Sequence, residues 1–224
     1  MNAEAPTGKI KVWDLPLRIF HWLLVAAVTA AIVTAKVGGE WMEWHGKAGM
    51  AIIGLLVFRL AWGVVGTVHA RFTSFAPTPA RVLAYLKGQW QGRGHNPLGA
   101  LSVFAMLGLL AAQAISGLFC NDDIAFNGPL FGWVDKDLSD RITGWHHLLS
   151  NYLLAFLALH IGAVLFYLVV KKHNLIKPML TGWAQIPNAQ QLPSKRTAGG
   201  VVALLSSVML AWLAWHSLAT IATS

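Results

Sequence analysis

The stretch WHHLLSNYLLAFLALH, Trp145 to His160, places three histidines in a run of otherwise mostly apolar residues. With its neighbours the run is long enough to cross a bilayer as a helix, which takes about 20 residues. An ionisable side chain inside a membrane span is costly, so each one indicates a functional site. These histidines therefore direct the interpretation of the rest of the chain.

The overall composition is that of a multi-span membrane protein. The 224 residues are 56% hydrophobic and 12% charged, with a mean hydropathy of +0.55, which is too apolar for an ordinary soluble domain. We expect an all-α integral membrane fold in which residues 1–182 form a four-helix transmembrane core, 183–198 a cytoplasmic linker and 199–219 an additional C-terminal transmembrane helix. The four core spans are predicted near 17–37, 44–66, 98–119 and 142–170.

The positive charges lie mainly in one set of connections. Twelve lysines and arginines lie before or at the start of the first span or in the second and fourth connections, whereas the other face has four. By the positive-inside rule, the N-terminus is cytoplasmic and the C-terminus after the fifth span is periplasmic, in a bacterial inner membrane. The net charge of +8 thus reports topology and gives no reason to expect a nucleic-acid partner.

The second connection contains a predicted interfacial helix. In TPARVLAYLKGQW, Thr78 is a suitable N-cap and Pro79 suits the first helical position. Val82, Leu83 and Leu86 follow at helical spacing. We expect this short helix to lie on the cytoplasmic surface of the membrane.

Four histidine positions fall into two levels of the predicted bundle. Because successive spans alternate in direction, His45 shares the outer level with His146 or His147, and His21 shares the cytoplasmic half with His160. An α-helix turns 100° and rises about 1.5 Å per residue, so His146 and His160 point within about 40° of each other, about 21 Å apart. His147 and His160 differ by about 140°, which favours His146 as the outer residue and leaves His147 as the alternative.

Facing pairs of histidines inside a helix bundle suit iron porphyrin, whose two axial positions take neutral imidazoles. Zinc fits less well, since it normally has three or four protein ligands and no cysteine or carboxylate completes either pair. The single cysteine, Cys120, excludes both an intrachain disulfide and a c-type haem attachment motif. Small residues near the ligands give the macrocycle space: Gly46, Gly49, Gly144 and Gly162. Two haems at different depths would form a transmembrane path for electrons.

A set of motifs spread over the core is specific to one family. The motifs are VWDLPLRIFHW, FRLAWG, ARFTSFAPTPARVLAYLKG, GHNPLGAL, TGWHHLLSNYLLAFLALH and KKHNLIKPMLTG. In this order, over about residues 10–182, the chain resembles the bacterial cytochrome b561 and nickel-hydrogenase cytochrome b subunit family. The fifth span lies outside the resemblance.

The resemblance implies a four-helix core with two b haems that exchanges electrons between membrane quinone and a redox partner. The family's ligands carry over to His21 and His160 for the inner haem and to His45 and His146 for the outer one. The expected partner is a periplasmic hydrogenase-like enzyme or c-type cytochrome, with this chain as the electron-transfer subunit of a quinone-linked oxidoreductase. The fifth helix can supply a contact to the partner or to a second copy of the chain.

Three arginines are candidates to neutralise haem propionates at the cytoplasmic surface. Arg59 lies near the end of the second span, and Arg18 and Arg71 lie near the same surface. A guanidinium pairs well with a carboxylate through charge-assisted hydrogen bonds. The alternative for Arg59 is that its side chain snorkels to the interface.

The outer connection gathers five aspartates: Asp122, Asp123, Asp135, Asp137 and Asp140. Their charge can either steer a positively rimmed electron carrier or serve only to solvate the loop.

Two alternatives to an electron-transfer subunit stay open, a self-standing quinone oxidoreductase and a non-redox transporter of haem or metal. The absence of an internal sequence repeat argues against the transporter.

Overall fold

The computed structural model describes residues 7–90 and 96–187, together with Met209. Several predicted features lie outside the described residues: the fifth span except Met209, most of the predicted linker, His95 and His216. The described chain contains seven α-helices, one 3-10 turn and two short strands. Four helices are long and apolar enough to cross a membrane, as predicted: α1 (Leu15–Val37), α2 (Trp41–Val65), α5 (Pro97–Gly117) and α6 (Lys136–Val169).

Helix α1 begins at a strong N-cap and ends at a glycine pair. The Asp14 carboxylate accepts a hydrogen bond from the N–H of Leu17, and proline follows within the first two helical positions. Gly38 and Gly39 adopt φ angles of 71° and 58°, a region that glycine enters without a steric penalty. The chain therefore reverses in a short turn, and α1 and α2 pack as antiparallel neighbours.

Helix α6 starts six residues earlier than the hydropathy pattern predicted. Asp135 caps it by accepting from the N–H of Leu138, and the first turns are polar. These turns stand beyond the apolar run, so hydropathy carries no signal for them. The outer connection before this extension includes the 3-10 turn Phe131–Trp133.

The short helices lie at one end of the bundle. They are α3 (Phe72–Phe75), α4 (Pro79–Leu86) and α7 (Ile176–Thr181). The helix predicted in the second connection is confirmed as α4: Thr78 accepts a hydrogen bond from the N–H of Arg81, and Pro79 is the first helical residue. Its position at the membrane surface stays a prediction. None of its side chains is buried.

A two-stranded antiparallel sheet was not predicted. Strand β1 (Thr7–Lys11) pairs with β2 (Trp183–Pro187), which occupies the first residues of the predicted linker. Gly182, with a φ of 86°, leads into β2, and a Cβ there would lie 2.7 Å from the carbonyl oxygen of Trp13. We call the end of the bundle that carries this sheet the inner end, and the other the outer end.

The four spans meet in an apolar layer halfway along the bundle. Helix α2 packs on α1 and α5, and α6 packs chiefly on α5. The layer consists of side chains from all four helices: Val28, Ile52, Leu56, Leu110 and Leu153. A second buried cluster lies towards the inner end, around Phe20, Phe58 and Trp62.

Candidate functional site

The outer pair of histidines is brought together as the sequence predicted. His45, in the second turn of α2, and His146 of α6 have ring centroids 6.1 Å apart, with the ring planes at 89°. Both residues are half-buried. Two imidazoles on opposite sides of one metal ion, each bound at about 2 Å through a nitrogen, have their ring centres about 6 Å apart. The spacing of this pair therefore fits axial ligation of one iron.

The hydrogen bond of His45 leaves the correct nitrogen available. Its Nδ1 lies 2.9 Å from the carbonyl oxygen of Ala31 on α1. A carbonyl only accepts, so the ring proton is on Nδ1 and the Nε2 lone pair is free. A backbone acceptor on the distal ring nitrogen is the usual support of a histidine ligand.

His146 has contacts at both ring nitrogens, and both come from α5. Its Nδ1 lies 3.0 Å from Ser116 Oγ, and its Nε2 lies 3.0 Å from Gln113 Nε2. The neighbouring His147 is exposed, with its ring centroid 6.4 Å from that of His146. In the described part of the chain only His146 of these two has a ring contact with His45.

The inner pair, His21 and His160, lies near enough for a charge on one ring to affect the other, but the described residues show no ring contact or hydrogen bond between them. His21 is half-buried in α1, with the edge of Trp22 at a centroid distance of 5.3 Å, and His160 of α6 is exposed. Within residues 7–90 and 96–187, neither ring has a hydrogen-bonding partner. The structure thus places these two side chains near one another with less support than the outer pair.

The apolar layer separates the two levels with a regular spacing. Val28 lies seven residues after His21, and Leu153 lies seven residues from both His146 and His160. Seven residues are close to two turns, so these side chains share a helix face, with about 10 Å between successive levels. On α2, Ile52 lies seven residues after His45. Each histidine level is therefore flanked by the same buried hydrocarbon layer.

The described residues offer each histidine pair only two ligands. No group of three or more His, Cys, Asp or Glu side chains that could hold a metal ion occurs among them. A pair without further ligands suits an iron whose other four positions are filled by a porphyrin, and does not suit structural zinc.

The predicted glycines divide into two groups. A Cβ added to Gly46 would lie 3.0 Å from the ring of Phe126, so this glycine permits close packing of the outer connection. Gly49, Gly144 and Gly162 face open space. Three of the four positions are therefore compatible with a bulky planar group, and Gly46 has a packing role.

All three candidate arginines donate to backbone carbonyls at the inner end. Arg59 is 3% exposed, donates to Ala70 at 3.2 Å and lies 4.4 Å over the ring of Phe72, so it does not snorkel. Arg71 donates from Nε to Gly66 at 2.8 Å. Arg18 donates to Leu180 and borders a cleft of about 390 Å³ between α1 and α7. In the described chain none of the three has a carboxylate partner within ion-pair distance.

Residues 12–182 match the prokaryotic cytochrome b561 family. The chain belongs to this family. Three similar curated proteins are named as probable Ni/Fe-hydrogenase B-type cytochrome subunits. The one from Azotobacter chroococcum mcd 1 is 27% identical over 212 residues, covering 78% of this chain and 88% of the relative. The one from Rhizobium leguminosarum bv. viciae is 26% identical, with 77% and 87% covered, and the one from Escherichia coli (strain K12) is 24% identical, with 77% and 89% covered. No solved structure matches the chain.

As a member of the cytochrome b561 family, the chain is a multi-pass membrane protein of electron transport, and a b-type cytochrome implies haem b. The half-buried, paired imidazoles fit that cofactor at the outer level by their spacing and by the His45 hydrogen bond, and the Gln113 amide would leave His146 Nε2 when iron binds there. At the inner level the fit rests on the proximity of the two side chains.

Three residues of this cytochrome were missed by sequence reasoning. Ser116 and Gln113 contact His146 from the one span without histidine, and only their three-residue spacing on α5 could have drawn attention to them. Asp14 accepts from the backbone of Leu17, from Trp62 Nε1 at 3.1 Å and from the Thr67 hydroxyl. It thereby ties α1, α2 and the following loop together beneath the inner level.

The outer aspartates of the cytochrome are largely engaged within their own connection. Asp122 Oδ1 accepts from the N–H groups of Ile124, Ala125 and Phe126, and Lys136 forms ion pairs with Asp123 and Asp140 at 2.7 and 3.0 Å. Asp135 caps α6. Asp137 is exposed without an ion pair in the described chain, so it is the clearest probe of any docking role.

Proposed function

We propose that this cytochrome carries electrons across the bacterial inner membrane through two b haems, between membrane quinone and a periplasmic redox enzyme. His21 and His160 would hold the inner haem, and His45 and His146 the outer one. The observation that carries the proposal is the outer pair, with a 6.1 Å separation between the rings and a free Nε2 on His45.

Each group of side chains has a defined task in this proposal. Haem held by two imidazoles would supply one-electron transfer and would leave no position for oxygen to bind. The imidazoles hold the cofactor, the layer around Val28 and Leu153 excludes water between the levels, and Arg59 and Arg71 supply positive charge at the inner end. Arg18 would do the same from the edge of the α1–α7 cleft. Lysines and arginines concentrated at that end support its placement in the cytoplasm.

The partner proposed is a Ni/Fe hydrogenase, because the similar curated proteins are named as cytochrome subunits of that enzyme. A c-type cytochrome is the second candidate. The exposed Asp137 and the ionised outer connection support docking of a protein with a positive rim.

Haem content of the detergent-purified protein tests the proposal. We expect two b haems per chain by the pyridine haemochrome assay and a low-spin spectrum on reduction with a quinol. His146→Ala should retain one haem, whereas the matched variant His147→Ala should retain both. A wild type without haem would overturn the proposal and favour the transporter alternative. Loss of a haem in His147→Ala alone would reassign the outer ligand.

The partner is tested separately in membrane vesicles. If a hydrogenase is the partner, hydrogen should reduce both haems in vesicles that contain the enzyme, and Asp137→Asn should slow this reduction at low salt. Reduction by quinol alone, with no response to hydrogen, would contradict the hydrogenase assignment and favour a self-standing quinone oxidoreductase.

A further inference from the structure

Helix α5 carries no histidine, yet it touches both nitrogens of His146. We infer that Ser116 is a positioning residue for the outer haem: its hydroxyl oxygen accepts a hydrogen bond from Nδ1–H of His146 and so keeps Nε2 unprotonated and available to the iron. The inference rests on the proposed function, because it takes His146 as a ligand. It adds a residue on α5 that sets the protonation and orientation of that ligand.

The hydroxyl proton of Ser116 is already committed. Its Oγ donates to the backbone carbonyl of Gln113, one turn earlier in α5, at 2.9 Å. A hydroxyl has one proton and two lone pairs, so the 3.0 Å contact with His146 must use a lone pair of Oγ. His146 is therefore the donor in this contact, and its proton lies on Nδ1.

The second contact of His146 is consistent with the same tautomer. Gln113 Nε2 is a donor without an acceptor lone pair, and it lies 3.0 Å from His146 Nε2. The ring nitrogen must accept, so it carries no proton. If the Gln113 amide were reversed, its oxygen would face His146 Nε2, and the ring proton would have to lie on Nε2. Nδ1 would then have no proton, and Ser116 could not donate to it, because its hydroxyl proton already bonds to the Gln113 carbonyl. Ser116 therefore fixes the amide orientation as well as the ring.

A close approach of α5 to the ring makes these contacts possible. A Cβ added to Gly117 would lie 3.1 Å from His146 Cε1, tighter than ordinary packing. The glycine lets the backbone of α5 come near enough for Ser116 to reach Nδ1. The Gln113 contact uses the nitrogen that iron would bind, whereas the Ser116 contact is on the opposite nitrogen and is compatible with ligation.

Hydrogen bonding to the outer nitrogen of a histidine ligand orients the ring and raises its basicity. Loss of such a partner typically weakens metal binding about 10- to 100-fold. When the imidazole becomes less basic, ferric iron loses more stabilisation than ferrous iron does. Removal of the Ser116 hydroxyl should therefore loosen the outer haem and raise its midpoint potential.

The test compares the wild type with Ser116→Ala, Ser116→Thr and Ser116→Val. Thr and Val have nearly the same shape and differ in the hydroxyl, so they separate hydrogen bonding from packing. Ser150→Ala is the matched control, because that hydroxyl donates to its own helix at His147. The measurements are the rate of haem transfer to a haem-free globin and a redox titration of both haems, with the inner haem as an internal reference.

We expect Ala and Val at position 116 to release the outer haem about 10- to 100-fold faster and to raise its potential, with Thr close to the wild type. Equal behaviour of Thr and Val, or a Ser116→Ala protein with unchanged release and potential, would overturn the inference while leaving the proposed function intact. If Ser116→Ala loses both haems through misfolding, the Thr and Val pair decides. A wild type without haem overturns the proposed function and with it this inference.

Discussion

At the outer level, His45 and His146 lie with ring centroids 6.1 Å apart, and each has a hydrogen bond at Nδ1. At the inner level, His21 and His160 lie near one another without a hydrogen bond to either ring among the described residues, and His160 is exposed. The difference follows from Ser116 and Gln113 of α5, which contact His146, and from the Ala31 carbonyl of α1, which accepts from His45. Two histidine pairs in one bundle can thus be positioned by different means, one by hydrogen bonds to the rings and one by the surrounding scaffold.

The largest effect that separates the two levels is expected from deleting one ligand of each. His45→Ala should remove the outer haem and His21→Ala the inner one, so that each variant retains about half of the haem absorbance. The reason is that the levels lie about 21 Å apart with a buried apolar layer between them. Haem content and redox titration of the two variants measure this. Loss of both haems from either single variant would show that the levels do not act separately.

The next largest effect concerns the layer itself. Leu153 lies in this layer and is 6% exposed. Leu153→Ala should leave a cavity and so reduce the free energy of unfolding by about 2–5 kcal/mol. Leu159→Ala, on the same helix with 66% of the residue exposed, should change it little. Thermal unfolding in detergent compares the two. Equal destabilisation would mean that α6 is not packed against the layer.

A smaller effect is expected at the inner end, where the scaffold replaces hydrogen bonds to the rings. Asp14→Ala removes an N-cap and the acceptor of Trp62 and Thr67, which should cost about 1–2 kcal/mol of stability. The inner haem should be released faster, and the outer one should be unaffected. Asp137→Ala is the control, since that carboxylate is exposed and caps no helix. Faster release of the outer haem instead would reverse the comparison between the levels.

The smallest effect is a reaction rate at the outer connection. Burial raises the pKa of the Cys120 thiol, and a hydrogen bond with Thr143 offsets this only in part. The thiolate fraction at neutral pH is therefore below that of a free cysteine, and iodoacetamide should react slowly until the pH is raised well above neutrality. The rate in the folded protein, compared with that in denaturant, measures this. As the chain has one cysteine, the signal has no background.

Hydropathy and helical periodicity predicted the four spans and the shared face of His146 and His160, because lipid and the helix repeat act locally on the sequence. The early start of α6 could not be predicted from hydropathy, since its first turns are polar. The sheet escaped because β1 and β2 are short and lie far apart in the chain. Ser116 and Gln113 could not be assigned to His146 from sequence, because the contact depends on how α5 is rotated against α6.

Arg59 shows the same limit at the level of a single side chain. Its position near the end of α2 was compatible with snorkelling, but the loop that follows folds back and covers it, so that it bonds to Ala70 and stacks on Phe72. A choice between exposure and burial for a long cationic side chain depends on the path of the next connection, which local sequence does not define.

The pairing of Thr7 with Pro187 and of Lys11 with Trp183 places the entry and exit of the four-helix unit side by side. The chain therefore enters and leaves the four-helix unit at neighbouring points. The chain before β1 and the chain after β2 therefore both join the unit at its inner end. A domain or tether fused at either junction would leave from the same point on the inner end.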